Sequence, residues 1–255
     1  MLTAITRAVS RSIVNCELTH LERVPIDLEN ARCQHHAYEE ALRSLGVQVL
    51  LLAEEPDLPD SVFVEDTAIV LDECALLTLP GAASRRLEVE SIAAALAPYR
   101  TLQRVEPPGT LDGGDVLVVG KDIWVGLTSR SNAAAIEQMQ EFLQPHGYQV
   151  HGVQVSGCLH LKSAVTQAAT DTLLINPAWV RRDDFPGLKF IEIHPSEPSA
   201  ANILMVGEAT VFQPSYPRTL ERLESAGIRP VLVDASELAK AEGALTCCSL
   251  IFHVT

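Results

Sequence analysis

One unit recurs along this chain. It is a short β-hairpin, then a helix, then one more strand, and it recurs five times in 255 residues, at about 51 residues per copy. In the first clear copy, Ser61 to Val70 and Cys74 to Leu79 read as strands around Asp72-Glu73. Ser84 to Leu96 reads as a helix capped by Ser84 with Leu87, Ile92 and Leu96 on its apolar stripe, and Leu102 to Val105 as the closing strand. In the second, Val116 to Val119 turns at Gly120-Lys121-Asp122 into Ile123 to Gly126. Ser131 or Asn132 then caps a helix reaching Leu143, and Tyr148 to Val155 alternates as a strand. The third has strands at Ser163 to Ala168 and Thr172 to Ile175, a weak helix at Val180 to Phe185, and a strand at Lys189 to Ile193. The fourth has Asn202 to Val206, Ala209 to Gln213, a helix opened by Pro217 and stopped by Gly227, and Pro230 to Val233.

The fifth copy draws on both ends of the chain. Ser249 to His253 and Leu2 to Val9 form its hairpin, Asn30 to Leu45 its helix and Val47 to Leu52 its last strand. Ends that share one unit imply a ring closed by pairing of the N- and C-terminal strands. An open array would leave an unpaired edge and an uncovered apolar face at each end. No linker interrupts the pattern, so a single domain over residues 1–255 is expected.

Hydrophobic residues make up 47% of the chain and aromatics only 5%, so the core must be aliphatic. The formal charge of −14 repels phosphate backbones and attracts small cations, which disfavours nucleic acid as a partner. Cys16, Cys33, Cys74, Cys158, Cys247 and Cys248 are scattered, with no CxxC pair, which fits a reduced, cytoplasmic setting better than a disulfide scaffold. The first residues lack the apolar stretch of a signal peptide, and no run approaches membrane-spanning length.

The polar residues fall in register with the repeat. Just before or within the first strand of each copy stand Asp60 to Asp66, Leu111-Asp112-Gly113-Gly114-Asp115, Leu159-His160-Leu161-Lys162, Ala200-Ala201-Asn202 and Thr246-Cys247-Cys248. Equivalent positions in a ring of five face one another, so a thiol, an imidazole and a carboxylate far apart in sequence would converge. Those are the parts of a nucleophilic Cys-His-acid site. Singly, each has a structural reading. A free cysteine is commonly core, a lone histidine is commonly a satisfied packing residue, and Asp115 can cap local backbone amides. Their shared place in the repeat favours the catalytic reading. Asp66, inside an apolar run, needs a cationic or hydrogen-bonding partner.

These strings resemble the dimethylarginine dimethylaminohydrolases, guanidine-modifying enzymes built as a five-bladed α/β-propeller, the pentein fold. The resemblance is carried by Phe63 to Asp66, Pro80 to Arg86, Leu111 to Val116, His160 to Lys162, Ala200 to Asn202, Tyr216 to Arg218 and Thr246 to Ser249, in family order along essentially the whole chain. It implies Cys247 as nucleophile, His160 as general acid/base and Asp112, where some bacterial relatives carry Glu, as the residue orienting His160. Glu65 and Asp66 would hold the guanidinium. Arg85 and Arg130 would pair with the substrate's α-carboxylate, and Asp60 with its α-ammonium, helped by backbone near Leu18 and Ala241. Phe63 belongs to the same binding set, and the loop from Leu18 to Asp27 would act as a lid. No metal or cofactor is required by this chemistry.

The expected reaction is hydrolysis of asymmetric dimethylarginine or monomethylarginine to citrulline and a methylated amine, through a covalent thiouronium on Cys247. Related arginine deiminases carry Asp two residues after the histidine, where this chain has Lys162, which disfavours unmethylated arginine. Two alternatives stand beside this reading. One is a deiminase-like hydrolase of another guanidino compound. The other is a non-catalytic pentein, which would lack a convergent Cys-His-acid set. The expected partner is a small cationic amino acid, with the chain a monomer or a homodimer.

Overall fold

The computed structural model describes residues 1–254. Thr255, the last residue of the expected span, lies outside the described residues. Five three-stranded sheets are present, each with the same order: an inner strand, its antiparallel hairpin partner in the middle, and a parallel third strand outside. The sheets are Ala68–Val70 with Ala75–Leu77 and Leu102–Arg104, and Val116–Val119 with Asp122–Leu127 and Gln149–Gln154. Next come Val165–Ala169 with Thr172–Ile175 and Lys189–Glu192, and Leu204–Val206 with Ala209–Phe212 and Val231–Leu232. The fifth sheet joins the two ends of the chain. Leu2–Arg7 pairs antiparallel with Leu250–His253 and parallel with Gln48–Leu52. The ring therefore closes as the repeat requires.

A parallel third strand needs a crossover, and four blades use a helix for it: Leu28–Ser44, Glu88–Leu96, Ala133–Leu143 and Pro217–Ser225. Asp27 caps the first by accepting from the Asn30 amide, and Asn132 caps the third by accepting from that of Ala135. The Pro217 start and the left-handed Gly227 that follows Ala226 delimit the last. Clusters of Leu, Ile, Val and Ala fill the space between neighbouring blades. Among the described residues, no helix is long and apolar enough to cross a membrane.

Some expected elements are shorter or different. The helix of the third blade is a single 3-10 turn at Arg182–Asp184, because four consecutive charged residues give it no apolar stripe. Ser84 does not cap a helix. Its hydroxyl donates to Glu17, and the helix begins at Glu88, so Leu87 falls outside the apolar stripe and is 71% exposed. Residues 61 to 67 are not strand. A 3-10 turn occupies Val64–Thr67, and the inner strand starts only at Ala68.

That last difference is part of a pattern. In four blades a single helical turn precedes the inner strand: Val64–Thr67, Gly113–Asp115, Leu161–Ala164 and Thr246–Cys248. The inner strands surround a central cavity lined by Ala68, Val116, Thr166, Leu204 and Leu250. The turns crowd together at one end of it, and they carry or adjoin the polar residues singled out above.

Candidate active site

Gly113 and Gly114 allow the turns to meet. A Cβ on Gly113 would lie 2.0 Å from the Glu65 carbonyl oxygen, and one on Gly114 would lie 2.6 Å from His160 Nδ1 and 2.9 Å from Asp66 Oδ1. Only glycine fits at these distances. The Gly-Gly of the second blade therefore lets its turn pack directly on the first blade's turn and on the third blade's histidine. The amide of Gly114 donates to Asp66 Oδ1 at 2.8 Å across the same contact.

His160 is buried, and its Nε2 lies 3.1 Å from Asp112 Oδ2. Asp112 is fully buried and is fixed in turn. Its Oδ1 accepts from the Gly81 amide at 2.9 Å, and its own amide donates to Ser131 Oγ. Asp115 does not cap its own turn, as the local reading had it. It caps the next blade's, accepting from the Leu161 amide at 2.9 Å and from the hydroxyls of Thr128 and Ser131. The turn that presents His160 is thus held by a carboxylate of the preceding blade. Cys247 sits on a turn braced likewise from a neighbour, since Asn202 accepts from the Thr246 amide and donates to its hydroxyl. Cys248 points away, its thiol donating to the Ala244 carbonyl.

Cys247 and His160 line one cavity of about 310 Å³ together with Asp60, Phe63, Asp66, Arg85, Arg130 and Ala241. The pocket is small, which suits a single amino acid rather than a peptide. Asp112 stands behind His160, outside the cavity wall. Leu18 packs on the apolar cluster beneath the pocket, and its neighbour Glu17 is the residue that lines it.

Two of the expected contacts fall differently. Glu65 does not face this pocket. Its carboxylate accepts from Lys162 Nζ at 2.6 Å and from the Thr246 hydroxyl at 2.8 Å, on the side of the central cavity. Of the two, only Asp66 lines the pocket. Arg85 does reach the pocket wall, but its guanidinium is largely consumed. It donates to both oxygens of Glu88, to Asp66 Oδ2 at 2.5 Å and to the Phe63 carbonyl at 3.0 Å. Arg130 is freer, with one contact to Thr19 Oγ1 at 3.1 Å and a long one to Asp112. Glu88 and Glu17 are not singled out in the sequence, while Ser131 reads there only as a helix cap and Thr246 only as a neighbour of Cys247. Only Glu88, three residues after Arg85 on a helical start, carried a readable signal.

The charges of the site are set by burial and by one another. Burial and the nearby Glu65 and Asp66 carboxylates push the Cys247 thiol far up, so the resting group is a thiol. Burial alone would depress His160, but Asp66, Asp115 and Asp112 outweigh it and raise the imidazolium to about 9. Burial likewise opposes the ionised form of Asp66, but Arg85 and His160 prevail and hold it at about 2. The pocket therefore presents an anion, a cationic acid and a neutral thiol at neutral pH. Ligand atoms of Asp66, Asp112 and His160 lie within 4.8 Å of one another. The carboxylates already accept from Arg85, Gly114, Gly81 and His160, and this leaves them little capacity for a metal ion.

A closed ring of five such blades with a thiol, an imidazole and carboxylates gathered at one end is the architecture of the pentein enzymes. A solved N-terminal domain of a cyanobacterial arginine dihydrolase shares it at a TM-score of 0.88 and 18% identity, covering 98% of each chain. More specifically, the family described as N,N dimethylarginine dimethylhydrolase, eukaryotic, matches residues 17–182. The N(G),N(G)-dimethylarginine dimethylaminohydrolase of Streptomyces coelicolor is 40% identical over 250 residues, 97% of this chain and 95% of that protein. The enzyme of the same name from Pseudomonas aeruginosa is 36% identical over 97% of this chain and 98% of that protein. A solved structure of the latter, a cysteine-to-serine variant in complex with citrulline, superposes at a TM-score of 0.94 over 98% of both chains. The chain belongs to the dimethylarginine dimethylaminohydrolase family.

Proposed function

We propose that the protein hydrolyses N-ω-methylated arginines to citrulline and dimethylamine or methylamine, as one catalytic unit over residues 1–255. The observation that carries this reading is that Cys247, His160 and the ionised Asp66 line one small cavity. The names of the relatives support the substrate class. Arg130 takes the α-carboxylate and Asp60 the α-ammonium, with backbone groups near Leu18 and Ala241 assisting. The buried Phe63 ring forms apolar wall.

The resting thiol decides how the reaction begins. A thiol and an imidazolium both keep their protons at neutral pH, so the pocket does not start as a thiolate–imidazolium pair. A bound guanidinium places a full positive charge beside Cys247, opposite in sign to the carboxylates that raise its pKa, and favours loss of its proton to solvent. The thiolate then attacks the guanidinium carbon and forms a C–S bond. With Nε2 held by Asp112, His160 gives its Nδ1 proton to the dimethylamino nitrogen as that C–N bond breaks. A cationic S-alkylthiouronium remains. The neutral imidazole takes a proton from water, the hydroxide adds to the same carbon, and collapse breaks the C–S bond to release citrulline as the adduct's hydroxyl proton passes to the departing sulfur and restores the thiol. Lys162, bound to Glu65, adds no acceptor to the pocket, so nothing there demands unmethylated nitrogens.

Product analysis across pH tests this reading. Purified protein with asymmetric dimethylarginine is expected to release dimethylamine and citrulline in equal amounts, and to release ammonia from arginine much more slowly. Turnover is expected to fall as pH rises through about 9, where His160 loses the proton needed by the leaving amine. Faster hydrolysis of arginine than of its methylated forms would instead favour a deiminase, because the dimethylamino group would then be excluded rather than accepted.

A further inference from the structure

Residues 17–25 form an exposed strap, apart from the half-buried Leu18. Its first residue, Glu17, lines the reactive pocket, while His20 and Leu21 line a larger neighbouring cavity of about 1220 Å³. The strap therefore crosses the wall between the two. Three consecutive amides of it, those of Thr19, His20 and Leu21, donate to a single carboxylate, that of Glu242, at 2.9, 2.5 and 2.7 Å. Glu242 itself belongs to both cavities, which share Leu159, Glu242 and Gly243.

The backbone at this point is unusual. Glu242 has φ of +57°, the one non-glycine residue with a positive φ among those described. A glutamate adopts that conformation only where its surroundings impose it. They do so here. The next residue, Gly243, has no space for a Cβ, which would fall 2.2 Å from a ring carbon of Phe63. The strained residue thus aims its carboxylate at the strap while its neighbours are fixed against the pocket wall. A second tie runs from the strap to the substrate site, since Arg130 Nη2 donates to Thr19 Oγ1 at 3.1 Å.

We infer that Glu242 is a positioning residue that latches the 17–25 strap over the reactive pocket, and that release of its three amide contacts joins the pocket to the larger cavity and admits the substrate. An exposed strap with few apolar contacts opens easily unless polar contacts hold it, and one carboxylate supplies three of them. Arg130 connects the latch to binding, because the guanidinium that meets the substrate's carboxylate also holds Thr19. The kinetic part of the test rests on the hydrolase reading given above, whereas the exchange part does not.

Glu242→Gly removes the carboxylate and relieves the backbone together, so it separates a latch from a structural brace. Its melting temperature is expected to equal or exceed that of the parent chain. Amide hydrogen exchange at residues 19–21 is expected to quicken by about tenfold or more, with the sheets unchanged. KM for asymmetric dimethylarginine is expected to rise about tenfold, with kcat within about threefold. Glu242→Asp, which keeps the charge on a shorter arm, is expected to lie between the two. Unchanged exchange at 19–21 in Glu242→Gly overturns the latch whatever the substrate proves to be. Acceleration spread evenly through the chain, with a lower melting temperature, overturns it in favour of a brace.

Discussion

Cys247→Ser is expected to lose turnover by a factor on the order of 10^4 or more while leaving the fold intact. The serine hydroxyl has nearly the volume of the thiol, and the 3-10 turn that presents it is held by Asn202 through Thr246 rather than by the sulfur. Its ordinary pKa lies far above that of a thiol, and the same burial and carboxylates that protonate Cys247 would raise it further. Binding of the methylated arginine should survive, since Asp66, Arg130 and Asp60 are untouched. Equilibrium binding beside a turnover assay checks both halves. A variant within tenfold of the parent rate would remove Cys247 from the chemistry. A neighbouring change gives a built-in control. Cys248→Ser alters a thiol that faces the Ala244 carbonyl in the core, and it should leave the reaction in place.

The second large effect concerns stability. Arg85→Ala is expected to destabilise the protein by about 3–5 kcal/mol, because it leaves Asp66 and Glu88 buried without their cation. Domains of this kind have only about 5–15 kcal/mol in hand, so the urea midpoint should fall visibly. All the donors of Arg85 but one Nη1 hydrogen are directed at protein acceptors, including the carbonyl of Phe63. Its first task is therefore to hold the turn that carries Asp66. Arg85→Lys keeps one charge but loses the fork, and should recover only part of the loss. If Arg85→Ala instead kept the parent midpoint and raised KM alone, Arg85 would serve the substrate carboxylate as the family resemblance implied, and Arg130 would share that task.

The ring was legible because its units are hairpins, and hairpins announce themselves through turns such as Gly120-Lys121-Asp122 and Gly207-Glu208. The use of both termini for one blade followed from counting units. The observed pairing of Leu2–Arg7 with Leu250–His253 has the same logic, since a closed ring leaves no blade without a neighbour. Where reading failed, the cause was local. Ser61 to Val64 is as apolar as a strand because a turn packed in the centre of a ring is buried as fully as a strand. The Glu65-Asp66 pair within it was the sign of something else.

The residues that gather at one end of the ring were legible from their place in the repeat, and their partners were not. Cys247, His160 and Asp112 precede inner strands in three blades, and this put them at one end of the ring. Nothing in the spacing of Glu65 and Lys162, 97 residues apart, told that they bond each other. Likewise Asp115 looked like a local cap and holds instead the turn of the following blade. Contacts between blades depend on how adjacent turns pack, and one-dimensional periodicity records only which turns are equivalent. Glu242 is the extreme case, a lone glutamate in a short loop whose role rests on a backbone angle.

The proposed reaction depends on carbon–sulfur bond formation at Cys247, and intact-protein mass spectrometry during turnover measures that most directly. Acid quenching of the protein mixed with asymmetric dimethylarginine should trap a species heavier by the amidine-bearing remainder of the substrate after loss of dimethylamine, and peptide mapping should locate it on Cys247. Release of dimethylamine with the adduct on Cys158 or Cys248, or at a steady rate with no adduct on any cysteine, would contradict it.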